Sequence, residues 1–185
     1  FYGTATRRKN PMLAAHWYRV AAQADAPAAI FNYALCLDQG IGVERDPVAA
    51  AEHYRRASEM GFMPARFNYA MVLLRGIRFR DAKERNKHKP EEILPKQDSK
   101  RAILMIKELA EKKFPPAMTE YASILIRNPD ISAAQAATAF QMASEAAQSP
   151  EATAKAWRVL GDCYFSGVGV EPDAQKMLAA LQKAI

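Results

Sequence analysis

The residues of this chain that could do chemistry are few and far apart. There are two cysteines, Cys36 and Cys163, and three histidines, His16, His53 and His88. A nucleophilic thiol needs a base within hydrogen-bond reach. A zinc site needs ligands at short fixed spacings, such as H-E-x-x-H or a Cys/His pair. None of these spacings occurs, and neither G-x-S-x-G nor a P-loop is present. The carboxylates are spread over what read as solvated helix faces, and the adjacent Glu91 and Glu92 sit in a polar loop. The expectation is therefore no catalytic, cofactor-binding or metal-binding residue, no cofactor, and no enzyme.

One chemical feature is concentrated. From Arg75 to Lys89 the basic residues are Arg75, Arg78, Arg80, Lys83, Arg85, Lys87 and Lys89, against Asp81 and Glu84, a net +5 out of +6 for the whole chain. Such a surplus suits an acidic protein, an anionic lipid surface or RNA. Aromatic interleaving for base stacking is thin, with Phe79 alone in the stretch. These seven residues are the candidate partner-binding set. They lie in or beside a segment, residues 77–99, that reads as a polar, solvated insertion.

Around that segment the chain repeats itself. "AIFNYALCLDQG" from Ala29 returns 36 residues later as "ARFNYAMVLLRG" from Ala65, then as "AMTEYASILIRN" from Ala117 and "AWRVLGDCYFSG" from Ala156. Apolar or small residues at i, i+4, i+5 and i+8 predict one buried helical stripe. Tyr33 and Tyr69 are the large members of that stripe, and Ala34 and Ala70 the small ones. A second helix follows each first one. Asn10-Pro11 and Asp46-Pro47 are start signals, Ser132 with Gln135 has capping-box spacing, and Asp173 opens the last. Between the helices lie "GIGVERD" (Gly40, Gly42, Asp46) and "GVGVEPD" (Gly167, Gly169, Asp173). The first glycine suits a left-handed helix end and the second a tight turn. Because they follow a helix and not a strand, they do not read as a dinucleotide fingerprint. A period in this range predicts stacked helix hairpins.

Asn32 and Asn68 recur inside the apolar stripe. They read either as ligand contacts on a concave face or as hydrogen-bond links between hairpins, and the second reading is preferred. Cys36 and Cys163 occupy one repeat position. Three repeats at roughly 8–10 Å per helix keep them apart, beyond the about 7 Å that a disulfide permits. They read as buried small residues.

This pattern, A-x-x-N-Y/L-A/G followed by G-x-G-V-x-x-D and A-x-x-W/Y, resembles the Sel-1-like repeat, a relative of the tetratricopeptide repeat. The resemblance runs over about residues 10–185, strongest at 26–76 and 156–185. It implies an all-α, right-handed solenoid of about four and a half antiparallel hairpins, one domain over 1–185 with the basic insertion at 77–99. Asp25 departs from the pattern where Gly61 keeps it.

Both ends fall within a repeat, and no polar cap is visible. The reading is an excerpt of a longer array or a chain whose ends a partner covers. The expected function is a non-catalytic protein-interaction scaffold. Partners are expected on the first-helix surface, at the two ends and at the insertion. The start at Phe and the basic charge fit a subunit of a large mitochondrial assembly. RNA binding through the insertion and a bacterial envelope adaptor are the alternatives. No apolar run reaches the roughly 18 residues of a membrane span.

Overall fold

The computed structural model describes residues 10–89 and 98–185. All regular structure among them is helical, which establishes the α-solenoid class of stacked antiparallel hairpins. The chain divides into two compact units, 1–99 and 100–185. The first holds α1 (Pro11–Gln23), α2 (Pro27–Gln39), α3 (Pro47–Glu59), α4 (Met63–Arg75) and the single-turn α5 (Ala82–Arg85). The second holds α6 (Ser99–Glu111, begun at the boundary), α7 (Pro115–Ile126), α8 (Ala133–Gln148), α9 (Ala154–Ser166) and α10 (Ala174–Gln182).

The helix starts follow from side-chain chemistry. Asn10, Asp46 and Asp173 each accept a bond from the backbone N–H three residues on, at 3.1, 2.8 and 2.9 Å. Each satisfies a donor that the helix itself leaves unpaired. Ser132 and Gln135 form the reciprocal capping box. The turn out of α1, α3 and α6 uses one left-handed residue, at Asp25 (φ 56°), Gly61 (φ 83°) and Lys113 (φ 61°). A side chain is tolerated there because a Cβ built on Gly61 meets nothing within 4 Å. This is why the departure at Asp25 leaves the hairpin intact.

Most of the predicted stripe is core, while Ala29 and Tyr33 are half-buried. Ala34, Ala70 and Ala122 are wholly buried, and Gly161 takes the same place in α9. Small residues there let neighbouring helices approach closely. In the first unit Ile30 packs with Ala22, Ala57 and Ala65, and Phe31 and Phe62 close over them. Cys36 and Cys163 are both buried. Burial pushes the Cys163 thiol up to about 12, so it stays protonated and inert.

The glycine loops close by one recurring bond. The Asp46 amide donates to the Leu37 carbonyl at 2.9 Å, and the Asp173 amide to Tyr164 at 3.0 Å. The Asp98 amide donates to Leu73 at 3.0 Å in the same way. The second glycine does more than turn the chain. At Gly42 (φ +71°) a Cβ would lie 2.1 Å from the Pro11 carbonyl oxygen, and at Gly169 (φ +72°) 2.2 Å from that of Ala136. Each loop is pressed against the first turn of an earlier helix.

Candidate functional site

Residues 77–89, the described part of the insertion, are folded back on the loop Gly40–Asp46. Arg45 is the pin. Its Nη1 bonds Glu84 Oε2 at 2.6 Å, its Nε donates to the Asp38 carbonyl at 2.5 Å and its Nη2 to the Arg78 carbonyl at 2.9 Å. Both charged partners are largely covered, with side chains 13% and 12% exposed. Glu84 also accepts from the Arg80 amide, and Arg80 Nη2 donates to the Gln39 carbonyl at 3.1 Å. Lys87 pairs with Glu44. His88 lies 3.7 Å from Asp46, and its ring faces Phe79 at 6.0 Å. Asp81 accepts from the Glu84 amide and starts α5. The result is a clasp across two loops, in which most of residues 77–89 remain exposed to solvent. Residues 90–97, with Glu91 and Glu92, lie outside the described residues, as does the start of the chain up to residue 9.

The seven cations are therefore not one uniform patch. Arg80 and Lys87 are committed to the clasp. Arg75 and Lys89 are exposed and engaged in contacts of their own. Arg78, Lys83 and Arg85 are exposed, and no described carboxylate pairs with their side chains. Phe79 is partly buried against His88 and is not offered as a base-stacking platform.

The Arg80 amide, with Arg45 adding charge, holds the Glu84 carboxyl below its ordinary value, against a smaller opposing effect of burial. The Lys87 ammonium does the same to Glu44. A carboxylate with a depressed folded pKa adds stability above its unfolded pKa of about 4.5 and loses it as pH falls through the folded value. The clasp should thus be closed at neutral pH and loosen below about pH 4.5. Arg45→Ala should open it at any pH. Tryptic cleavage after Lys83 and Arg85 should then quicken by about tenfold or more, while cleavage elsewhere in the first unit stays slow. Unchanged cleavage in Arg45→Ala would mean that the other contacts hold the clasp alone.

The remaining candidates fall into place as packing. His53 stands edge-on to Tyr33 at 5.2 Å, and burial lowers its pKa. His16, on the exposed side of α1, stands edge-on to Trp17 at 5.4 Å. No group of three or more potential metal ligands exists among the described residues. Asn32 and Asn68 are half-buried. Asn68 lies beside the buried Tyr54 hydroxyl without completing a hydrogen bond to it. At the ends, α1 leaves Met12 70%, Leu13 51% and Trp17 59% exposed, and α10 leaves Leu178 56% exposed.

The expectation that carboxylates lie on solvated faces fails at Glu120. It occupies the repeat position of Asn32 and Asn68, yet its side chain is only 4% exposed and pairs with Lys155 of α9. The register of Ala117 with Ala29 carried this signal, since it places an acid in the buried stripe.

Comparison with known proteins agrees with the helical-repeat fold. The Sel1 repeat model matches residues 1–25, 27–62 and 158–182. A crystal structure of a Sel1 repeat protein from Oxalobacter formigenes superimposes with TM-score 0.68 at 23% identity, covering 95% of this chain and 45% of that one. A protective antigen of uropathogenic Escherichia coli with an SLR fold superimposes with TM-score 0.55 at 22% identity, covering 95% and 41%. The chain thus spans less than half the length of either structure. No curated protein sequence matches it.

Proposed function

This chain carries the repeats of the Sel1 family, and on that premise we propose that it is a non-catalytic protein-interaction module that grips an acidic protein segment at the clasp. Sel1 repeats generally serve as protein-interaction scaffolds. The observation that carries the specific reading is the clasp itself. It spends its carboxylates internally, on Arg45 and Lys87, and still turns Arg78, Lys83 and Arg85 outward. The pinned backbone beneath these cations loses little freedom on binding. The interleaved Glu44, Asp81 and Glu84 and the engaged Phe79 weigh against an extended nucleic-acid track.

The wider role we propose is that of a subunit in a multiprotein assembly, mitochondrial by the charge reading or in a bacterial envelope. Native co-purification tests both levels. The wild type should bring down a defined acidic protein, released as salt rises. The charge reversal R78E/K83E/R85E should lose it while keeping the helical signal. Equal recovery by both proteins, or a co-purifying species removed by nuclease, would contradict the proposal.

A further inference from the structure

The last repeat contains an open groove at the place where the first repeat sets His53 against Tyr33. Positions 127 residues apart are equivalent, as Gly40 with Gly167 and Asp46 with Asp173. In the first repeat His53 of α3 lies against Tyr33 of α2, and Arg56 reaches across to Asp25 and to the Ala22 carbonyl. At the equivalent places of the last repeat stand Ala180 for His53, Leu160 for Tyr33, Lys183 for Arg56 and Ala152 for Asp25. Ala179 likewise replaces Glu52. The imidazole, the glutamate and the aspartate are gone, and the cation is kept.

A groove of about 360 Å³ lies between α9 and α10, bordered by Gln148 at the end of α8. Leu160 and the rings of Trp157 and Tyr164 line it. Lys183 sits over the Trp157 ring with its nitrogen 4.3 Å from the centroid, and no carboxylate among the described residues pairs with it. Lys176 stands over Tyr164 at 5.8 Å and also touches its own helix cap, Asp173, at 3.3 Å. The two lysines are seven residues apart along α10 and its C-cap, about 10 Å along the axis.

We infer that this groove binds a segment of a partner protein that presents a large apolar or aromatic side chain flanked by carboxylates. The side chain takes the space that His53 fills in the first repeat, and a carboxylate takes the part of Asp25 toward Lys183. A second acid meets Lys176. Buried aromatic anchors with charged pairs at the rim are the pattern of protein-recognition hot spots. This inference shares with the proposal above only the idea that the ligand is a protein. A peptide probe at the groove succeeds or fails independently of the clasp cations.

The test is an NMR titration of the whole chain with an acetylated, amidated EEFEE pentapeptide, reading the Trp157 indole N–H. Controls are QQFQQ and EEAEE. The expected result is a saturable shift with EEFEE, weakened about tenfold or more with either control. K183Q, a change at an exposed side chain, should weaken EEFEE by a similar factor. A152D/A180H should abolish binding by closing the groove with the first repeat's own groups. Equal binding of QQFQQ and EEFEE, an unaffected K183Q, or no saturable shift up to about 1 mM peptide would overturn the inference.

Discussion

Gly42→Ala should lower the midpoint of thermal unfolding by roughly 6–12 °C. Two separate costs meet at this residue. An alanine at φ +71° is in the left-handed region, at about 1–2 kcal/mol. Its Cβ would also stand 2.1 Å from the Pro11 carbonyl oxygen and 2.7 Å from the Met12 nitrogen, both backbone atoms. These cannot rotate aside as a side-chain tip would. The loop must move off α1, and forced displacement in packed structure costs typically 1–3 kcal/mol. The sum is about 3 kcal/mol, and each 1 kcal/mol shifts the midpoint by about 2–4 °C for a chain of this size. Gly61→Ala is the internal comparison. Its φ is +83° but a Cβ there meets nothing within 4 Å, so only the conformational cost applies. Circular dichroism melts of the two variants check this. Equal shifts would show that the close approach to α1 carries no weight.

The second large effect is expected at the buried ion pair of the second unit. Lys155→Ala removes the ammonium that pairs with the Glu120 carboxylate, which is 4% exposed. Removing one member of a buried pair costs about 3–5 kcal/mol when both are deeply buried. Lys155 is 35% exposed, so solvent screens part of the pair and about 2–3 kcal/mol is the better expectation. The repeat supplies the rescue. Asn32 and Asn68 occupy the position of Glu120 in earlier helices. Glu120→Asn combined with Lys155→Ala should therefore be more stable than Lys155→Ala alone, because no charge is left buried. Urea unfolding of the single and double variants gives the ordering. A neutral Lys155→Ala would contradict it.

Most of the fold was legible because its determinants are local. A cap at Asn10, Asp46, Ser132 or Asp173 needs only the next three residues, and the stripe needs one helix's own spacing. The repeat then multiplies each local signal. What stayed hidden depends on partners distant in sequence. The second loop glycine read as a turn residue, and nothing nearby announces that Pro11 lies over Gly42. Arg45 differs from Pro172 in the otherwise similar last loop, but its partner Glu84 is 39 residues on. So the insertion read as a polar, solvated segment, and the contacts that pin its first half to the Gly40–Asp46 loop stayed out of sight. Glu120 carried a visible signal in the repeat register, whereas Lys155, 35 residues later, did not. The groove follows the same rule. Ala179 and Ala180 look like ordinary helix formers until they are set against Glu52 and His53.

These breaks in the repeat are where the individuality of the chain is concentrated, and the clasp is the central one. The measurement that tests its role most directly is photo-crosslinking in the native source. A benzoylphenylalanine is placed at Lys83 on the clasp, and in a second protein at Arg55 on the exposed face of α3. The proposed function predicts that the probe at position 83 captures one defined acidic protein, that R78E/R85E in the same protein abolishes the capture, and that the probe at position 55 does not reproduce it. Capture of nucleic acid at position 83, or the same protein caught equally from position 55, would contradict it.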